Sequence, residues 1–234
     1  MENLLLECAK KINISLTEEM IEKFMKYYQL LIEWNGKMNL TAITEEKDVV
    51  IKHFIDSLTI AQYIPQNAKL IDVGTGAGFP GIPVKIVRAD VEIVLLDSLQ
   101  KRVNFLNHVI EQCNFKNISA IHGRAEEFGQ NLEYREQFDI ATARAVANLA
   151  TLSELCTPFL KVGGTFICMK ADATEEMANA QTAVKELGMK QRKIDSFILP
   201  VLDDHRTIIL YQKEKHTPKK YPRKAGTPAK NPIL

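Results

Sequence analysis

No two of the four cysteines, Cys8, Cys113, Cys156 and Cys168, are close enough in sequence to form a paired C-x-x-C motif. That spacing excludes a zinc ribbon and a disulfide framework, and predicts reduced thiols in a core. Long apolar runs are also missing, so no segment reaches membrane-spanning length. The opening residues, Met1 Glu2 Asn3 Leu4 Leu5 Leu6 Glu7, are acidic and their apolar stretch is too short for a signal peptide, so a cytoplasmic location is expected. There is no internal repeat. What is present is a chain of 234 residues, 46% hydrophobic, able to bury one substantial core with an appendage.

The densest information lies in Asp72 Val73 Gly74 Thr75 Gly76 Ala77 Gly78 Phe79 Pro80 Gly81, directly after the apolar run Lys69–Val73. An apolar run followed by alternating glycines predicts a buried parallel strand and a tight turn whose backbone can approach a ligand. Residues 76–81 fit the dinucleotide fingerprint G-x-G-x-x-G. Shifted back to Asp72, the same residues resemble motif I of the class I S-adenosylmethionine methyltransferases, an acid two residues before three alternating glycines. Charge separates the two readings: a pyrophosphate is an anion, whereas S-adenosylmethionine carries an ammonium and a sulfonium, which an acid favours. Pro80 and Pro83, at the start of the next helix, reduce the amides available to a phosphate.

A second acid, Asp97, closes the strand pattern Val91–Leu96, about 20 residues beyond the glycines, where a carboxylate can accept ribose hydroxyls. It also fits an N-cap for the helix that follows.

Coarse patterning divides the chain into a helical segment over 1–66, an alternating strand and helix region over 67–213, and a basic, Pro-rich arm over 214–234. Leu16 Thr17 Glu18 Glu19 opens a helix with Met20, Phe24, Tyr27, Tyr28, Leu31 and Trp34 on its core face, ended by Gly36. A second helix runs from Val49 through His53 to Ile60. Strands are predicted at 70–73, 91–96, 118–121, 139–143, 165–170, 194–199 and 207–211, with Leu160–Gly164 a turn and the last two strands an antiparallel pair. From Lys213 onward seven Lys or Arg face one acid, leaving the rest acidic by about five charges. Four prolines between 218 and 232 argue against a helix there and for an extended arm; Lys219, Lys220, Arg223 and Lys224 could track a phosphate backbone, or the arm could be a solvated terminus.

Across nearly the whole chain, Trp34 Asn35, Asn39 Leu40 Thr41, His53 with Asp56 Ser57 Leu58, the 74–81 loop, Leu96 Asp97 Ser98, Gly123 Arg124 Ala125 Glu126, Ala143 Arg144 Ala145 Val146 Ala147 and Lys219–Gly226 resemble the ribosomal small-subunit methyltransferase G family, also called glucose-inhibited division protein B. The resemblance implies a class I methyltransferase fold: α/β, Rossmann-like, seven mostly parallel strands with an antiparallel last strand, and an N-terminal helical extension. It implies methyl transfer from S-adenosylmethionine to nitrogen-7 of a guanine in 16S ribosomal RNA, free or in the small subunit. No membrane or obligate protein partner is implied, and a monomer is expected. Asp72, Gly74, Gly76, Gly78, Phe79, Asp97, Ser98, Ala125, Glu126 and Arg144 become the expected cofactor residues, with Glu126 offering its carboxylate to the adenine edge; by sequence alone Glu126 could equally be a helix-start acid and Arg144 an ion-pair partner of Asp139 or of an acid elsewhere.

Nitrogen-7 carries a free lone pair, so the reaction needs alignment and dryness more than a general base. Neither a Ser-His-Asp triad nor a metal is expected. Arg144, Lys170 and Arg206, each at a strand terminus, are candidates for positioning the guanine or its phosphates. His53 reads as structural, hydrogen-bonded to Asp56, and Asp203 Asp204 His205 as solvated turn residues. A nicotinamide oxidoreductase and a non-catalytic RNA-binding factor are the competing readings.

Overall fold

Among the described residues seven strands form one sheet, with the third, second, first, fourth, fifth, seventh and sixth strands of the sequence side by side in that order. The computed structural model describes residues 1–144, 147–202 and 204–234; Ala145 and Val146 of the Arg144 motif, and Asp203 of the acidic turn, lie outside the described residues. Strands β1 (Lys69–Val73), β2 (Glu92–Asp97), β3 (Ile118–His122), β4 (Phe138–Arg144) and β5 (Leu160–Lys170) are parallel, and β7 (His205–Lys213) runs antiparallel between β5 and β6 (Met189–Ile198). Helices between parallel strands cover both faces, as crossover connections require.

One face packs against α1 (Glu2–Lys11), α2 (Glu18–Met38), α5 (Gly81–Val87) and α6 (Gln100–Gln112) in a core containing Phe24, Phe54, Leu70, Ile82, Ile93 and Phe105. The other carries α8 (Leu149–Cys156), α9 (Thr174–Asn179) and α10 (Gln181–Glu186) over Ile71, Ala141, Phe166 and Tyr211. The N-terminal helices therefore share a core with the sheet. Thr17 caps α2 by accepting from the Met20 amide at 3.3 Å. All four cysteines are free and buried.

Four local expectations change. Helix α2 continues past Gly36 and ends at Asn39, left-handed at φ 49°, whose N–H donates to the Asn35 carbonyl. The helix expected from Val49 to Ile60 is a π-helix over Val49–Ile55 running into α4 (Asp56–Leu58), preceded by α3 (Glu46–Asp48) and followed by a 3-10 turn at Ala61–Tyr63. Hydroxyls compete for its backbone: Ser57 Oγ donates to the His53 carbonyl and Thr59 Oγ1 to that of Asp56. The Leu160–Gly164 turn is a bulge inside β5, where the pairing jumps from Phe138↔Leu160 to Ile140↔Thr165. Strand β6 begins at Met189, earlier than its apolar residues indicate, because it is an edge strand faced with Lys190, Arg192 and Lys193.

The largest change is at the C-terminus, which docks as a strap. Arg135 donates to the carbonyls of Thr217, Pro218 and Tyr221, and Gln130 to those of Lys219 and Pro222. Tyr221 is 5% exposed. Despite the prolines a one-turn helix, α11 (Thr227–Lys230), forms with Pro228 in its first turn, where a missing N–H costs nothing. Lys213, counted with the arm in sequence, is fully buried, donating to Glu136 and to the carbonyls of Thr157 and Leu160.

Candidate cofactor and RNA site

The glycine loop leaves the carboxyl end of β1, and most of its amides already have partners within the protein. Gly74 and Thr75 amides donate to the Leu96 carbonyl, Gly78 and Phe79 amides to that of Thr75, the Gly76 amide to Asp97 Oδ2 at 2.9 Å, and the Gly81 amide to Asp72 Oδ2 at 2.9 Å. Gly74, Gly76 and Gly78 have φ of 71°, 63° and 104°, a region side chains rarely adopt. A Cβ on Gly81 would meet the Leu95 side chain, so helix α5 can lie this close to β2 only with glycine there. A pyrophosphate bound in the dinucleotide manner needs free amides at such a helix start. This loop spends them internally.

Asp72 lies beneath the loop, fully buried. Its Oδ2 also accepts from Thr75 Oγ1 at 2.7 Å, while Oδ1 has no partner. Burial pushes the carboxyl up to about 6, against the hydrogen bonds from Thr75 and Gly81 and the charge of Arg144. An orphaned acceptor under a loop with open space at Gly76 fits a cationic ligand group.

Asp97, 2% exposed at the end of β2, binds the Gly76 amide through Oδ2 and the Leu99 amide through Oδ1, so it braces the loop and the entry to α6 together. Arg102 approaches it at 3.4 Å, and Ser98 is exposed beside it. The Asp97 carbonyl accepts from the Gly123 amide, bringing the turn after β3 alongside. There, α7 (Ala125–Phe128) carries Ala125 and Glu126. The Glu126 carboxylate accepts from the strap's Gly226 amide at 2.8 Å. One oxygen of the acid expected to read adenine is thus engaged by the C-terminal strap.

Arg144 ends β4, next to β1 in the sheet. Its Nη1 donates to Asp56 Oδ2 and to the Lys52 carbonyl, its Nη2 to His53 Nδ1, and its guanidinium lies 5.0 Å from the Phe79 ring centre. His53 also stacks on Phe79 with centroids 4.3 Å apart. Its expected bond to Asp56 is absent; both side chains turn to Arg144 instead. Burial and the Arg144 charge hold the imidazole down to about 3, so it stays neutral. Tyr27, on α2, donates to the Ala77 carbonyl at 2.6 Å and underpins the loop.

Lys170 is tied to Glu176 and the Ala147 carbonyl, and Arg206 to Asp56. In the strap, Arg223 grips buried Glu154 and Lys220 pairs with Glu186, while Lys219 and Lys224 are exposed. The arm expected to offer four cations to RNA spends two of them on the body. Sequence reasoning missed Asp56 as a shared anchor, Tyr27 as a loop prop and Arg135 as the strap's holder. Their partners are 50 to 150 residues away.

The family model for rRNA small subunit methyltransferase G, GidB, matches residues 20–207. The chain is 52% identical to ribosomal RNA small subunit methyltransferase G of Acetivibrio thermocellus, covering 100% of this chain and 97% of that protein. This chain belongs to the rRNA small subunit methyltransferase G family. The protein of the same name from Lysinibacillus sphaericus is 49% identical, with 99% of each chain covered. Among solved structures, M. jannaschii TYW2 in complex with AdoMet is similar at a TM-score of 0.54 and 13% identity, over 68% of this chain and 74% of that one. Agrobacterium tumefaciens Atu636, a predicted O-methyltransferase, gives 0.55 at 17% identity, over 68% and 81%. Those structures share the class I methyltransferase fold with this family member.

Proposed function

We propose that this protein transfers a methyl group from S-adenosylmethionine to nitrogen-7 of a guanine in 16S ribosomal RNA, acting in the cytoplasm as a monomer. The observation that carries the cofactor choice is the loop itself: the amides of Gly74, Thr75, Gly76, Gly78, Phe79 and Gly81 are satisfied internally, and beneath it lies a buried carboxylate with one unpaired oxygen. That arrangement suits a cation and not a pyrophosphate. Family membership over the whole chain supplies the acceptor. No helix among the described residues is long and apolar enough to cross a membrane.

When bound, S-adenosylmethionine supplies an electrophilic methyl on a sulfonium. The protein's part is to hold and align. Asp72 and the backbone at Gly74, Gly76 and Gly78 would hold the methionine end, Asp97 with Ser98 the ribose, and Ala125 with Glu126 the adenine side. Phe79, packed by His53 and Arg144, forms an apolar wall that excludes water. Guanine nitrogen-7 needs no proton removed, so a neutral His53 is consistent with the chemistry. Lys219 and Lys224 remain available for phosphate contacts from the strap.

Labelled cofactor supplied with 16S RNA, followed by mapping of the modified base, tests the reading. Label at nitrogen-7 of one guanine is expected. Label on protein or on a small metabolite would overturn the assignment.

A further inference from the structure

Two arginines from different strands share one carboxylate beside the cofactor loop. Asp56 has a side chain 7% exposed. Its Oδ2 accepts from Arg144 Nη1 at 2.9 Å and its Oδ1 from Arg206 Nε at 3.0 Å. Arg144 closes β4 and Arg206 opens β7, with β5 and its terminal Lys170 between them. Two guanidiniums this close repel unless an anion lies between them. Asp56 removes the repulsion and fixes both guanidiniums, with Asp204 at the outer side of Arg206 and Glu176 on Lys170.

The relay reaches further back. The Thr41 amide donates to Asn35 Oδ1, and Thr41 Oγ1 meets His53 Nε2 at 2.9 Å. Arginine only donates, so His53 Nδ1, 3.2 Å from Arg144 Nη2, must be the unprotonated nitrogen. His53 Nε2–H then donates to Thr41, and one tautomer is fixed. Each sequence motif of the N-terminal segment thus ends on Arg144. Three N–H groups of Arg144 are used inside this network, whereas Arg206 spends Nε on Asp56 and Nη1 on the His205 carbonyl, and its Nη2 lies near the surface 3.6 Å from Asp204 Oδ2, paired by charge but outside hydrogen-bond reach.

We propose that Asp56 is a positioning residue for the RNA: by holding Arg206 against Arg144 it prepares a site for one backbone phosphate next to the target base. The inference rests on the RNA methyltransferase reading above. A preset guanidinium fork binds phosphate without first losing rotamer freedom, and the phosphate fixes how far the base stands from Phe79.

Asp56→Asn, Arg206→Gln and their combination test this, with wild type assayed alongside. For Asp56→Asn the KM for 16S RNA is expected to rise about tenfold, the loss of one charge-assisted contact, while the cofactor dissociation constant by calorimetry stays within about twofold. An unrelated RNA of equal length, measured without cofactor, should bind Asp56→Asn at least as well as wild type, because removing an acid adds net positive charge. Arg206→Gln should raise the same KM, and the double variant should be no worse than the poorer single one. Arg206→Lys, which keeps charge but not the fork, should not restore it. If Asp56→Asn does not fold, the Arg206→Gln and Arg206→Lys pair decides the matter, since that side chain is partly exposed at the start of β7. An altered cofactor constant with unchanged RNA KM, additive losses, or full rescue by Lys would overturn the inference. A wild-type protein that leaves RNA unmethylated would instead overturn the reading on which it rests.

Discussion

Asp72 shows a conflict between stability and function in a single group. Its carboxyl is raised to about 6 by burial, so the folded chain binds that proton more tightly than the unfolded chain does. The contribution to stability is therefore full at low pH and lost as the pH rises through 6. Asp72→Asn is expected to raise the melting temperature of the free protein at pH 7.5 and to weaken cofactor binding. In the wild type, cofactor affinity should fall as the pH drops below 6, by about tenfold per unit at most, and the Asn variant should show no such dependence. Calorimetry between pH 7.5 and 5 checks both, and a wild-type affinity constant across that range would remove Asp72 from ammonium binding. Tyr27→Phe loses the hydroxyl on the Ala77 carbonyl. That deletion should cost about 1 kcal/mol or more in urea unfolding, because the carbonyl is left buried.

At the scale of the element, the C-terminal strap departs most from what its composition indicates. Prolines and lysines read as a solvated arm, yet Arg223 clamps Glu154, which is 1% exposed. Arg223→Ala leaves that carboxylate buried with only the backbone amide of residue 223 as donor and no countercharge, and should cost about 3 kcal/mol in chemical denaturation; a loss under 1 kcal/mol would show that the pair does not hold the strap. Composition alone leads to the expectation that removing the arm spares the cofactor site. Because Gly226 binds Glu126, truncation after Lys215 should instead weaken the cofactor as well as the RNA. Equal cofactor binding by the full and truncated chains would restore the simpler view. The strands and the glycine loop were legible because period and φ are properties of neighbouring residues. The π-helix was not: it lies within a segment that reads as ordinary helix, and only one local bond, Ser57 Oγ to the His53 carbonyl, accompanies it.

For the whole molecule, the strap is joined to the end of β7 and to the loop before β4 at Glu136. Burial alone raises that carboxyl, but hydrogen bonds and charge from Lys213 and His216 and the Thr217 amide bring it down to about 2. A depressed carboxyl stabilises the fold above its unfolded value and loses that contribution as the pH falls toward 2. Protease cutting within 214–234 should therefore increase between pH 4.5 and 2, ahead of global unfolding by circular dichroism. Cutting that follows global unfolding at every pH would mean the strap is held elsewhere. The same long-range pairing explains why the acidic body is compatible with an RNA substrate: Asp56, Glu136 and Glu154 face inward onto bases, and Lys219 and Lys224 face out.

Sequence alone determined the alternation of strands and helices, the antiparallel last pair, the turn at Gly74–Gly78 and the acids at the ends of β1 and β2. These follow from hydrophobic period and from the φ that only glycine adopts readily, both fixed within a few residues. Tertiary structure alone decided which charges are free. Arg223 meets Glu154 across 69 residues and Arg206 meets Asp56 across 150. An ion pair is set by position after folding, so a formal count of lysines and arginines says how much charge the chain carries, and only the packed molecule says where it remains to act.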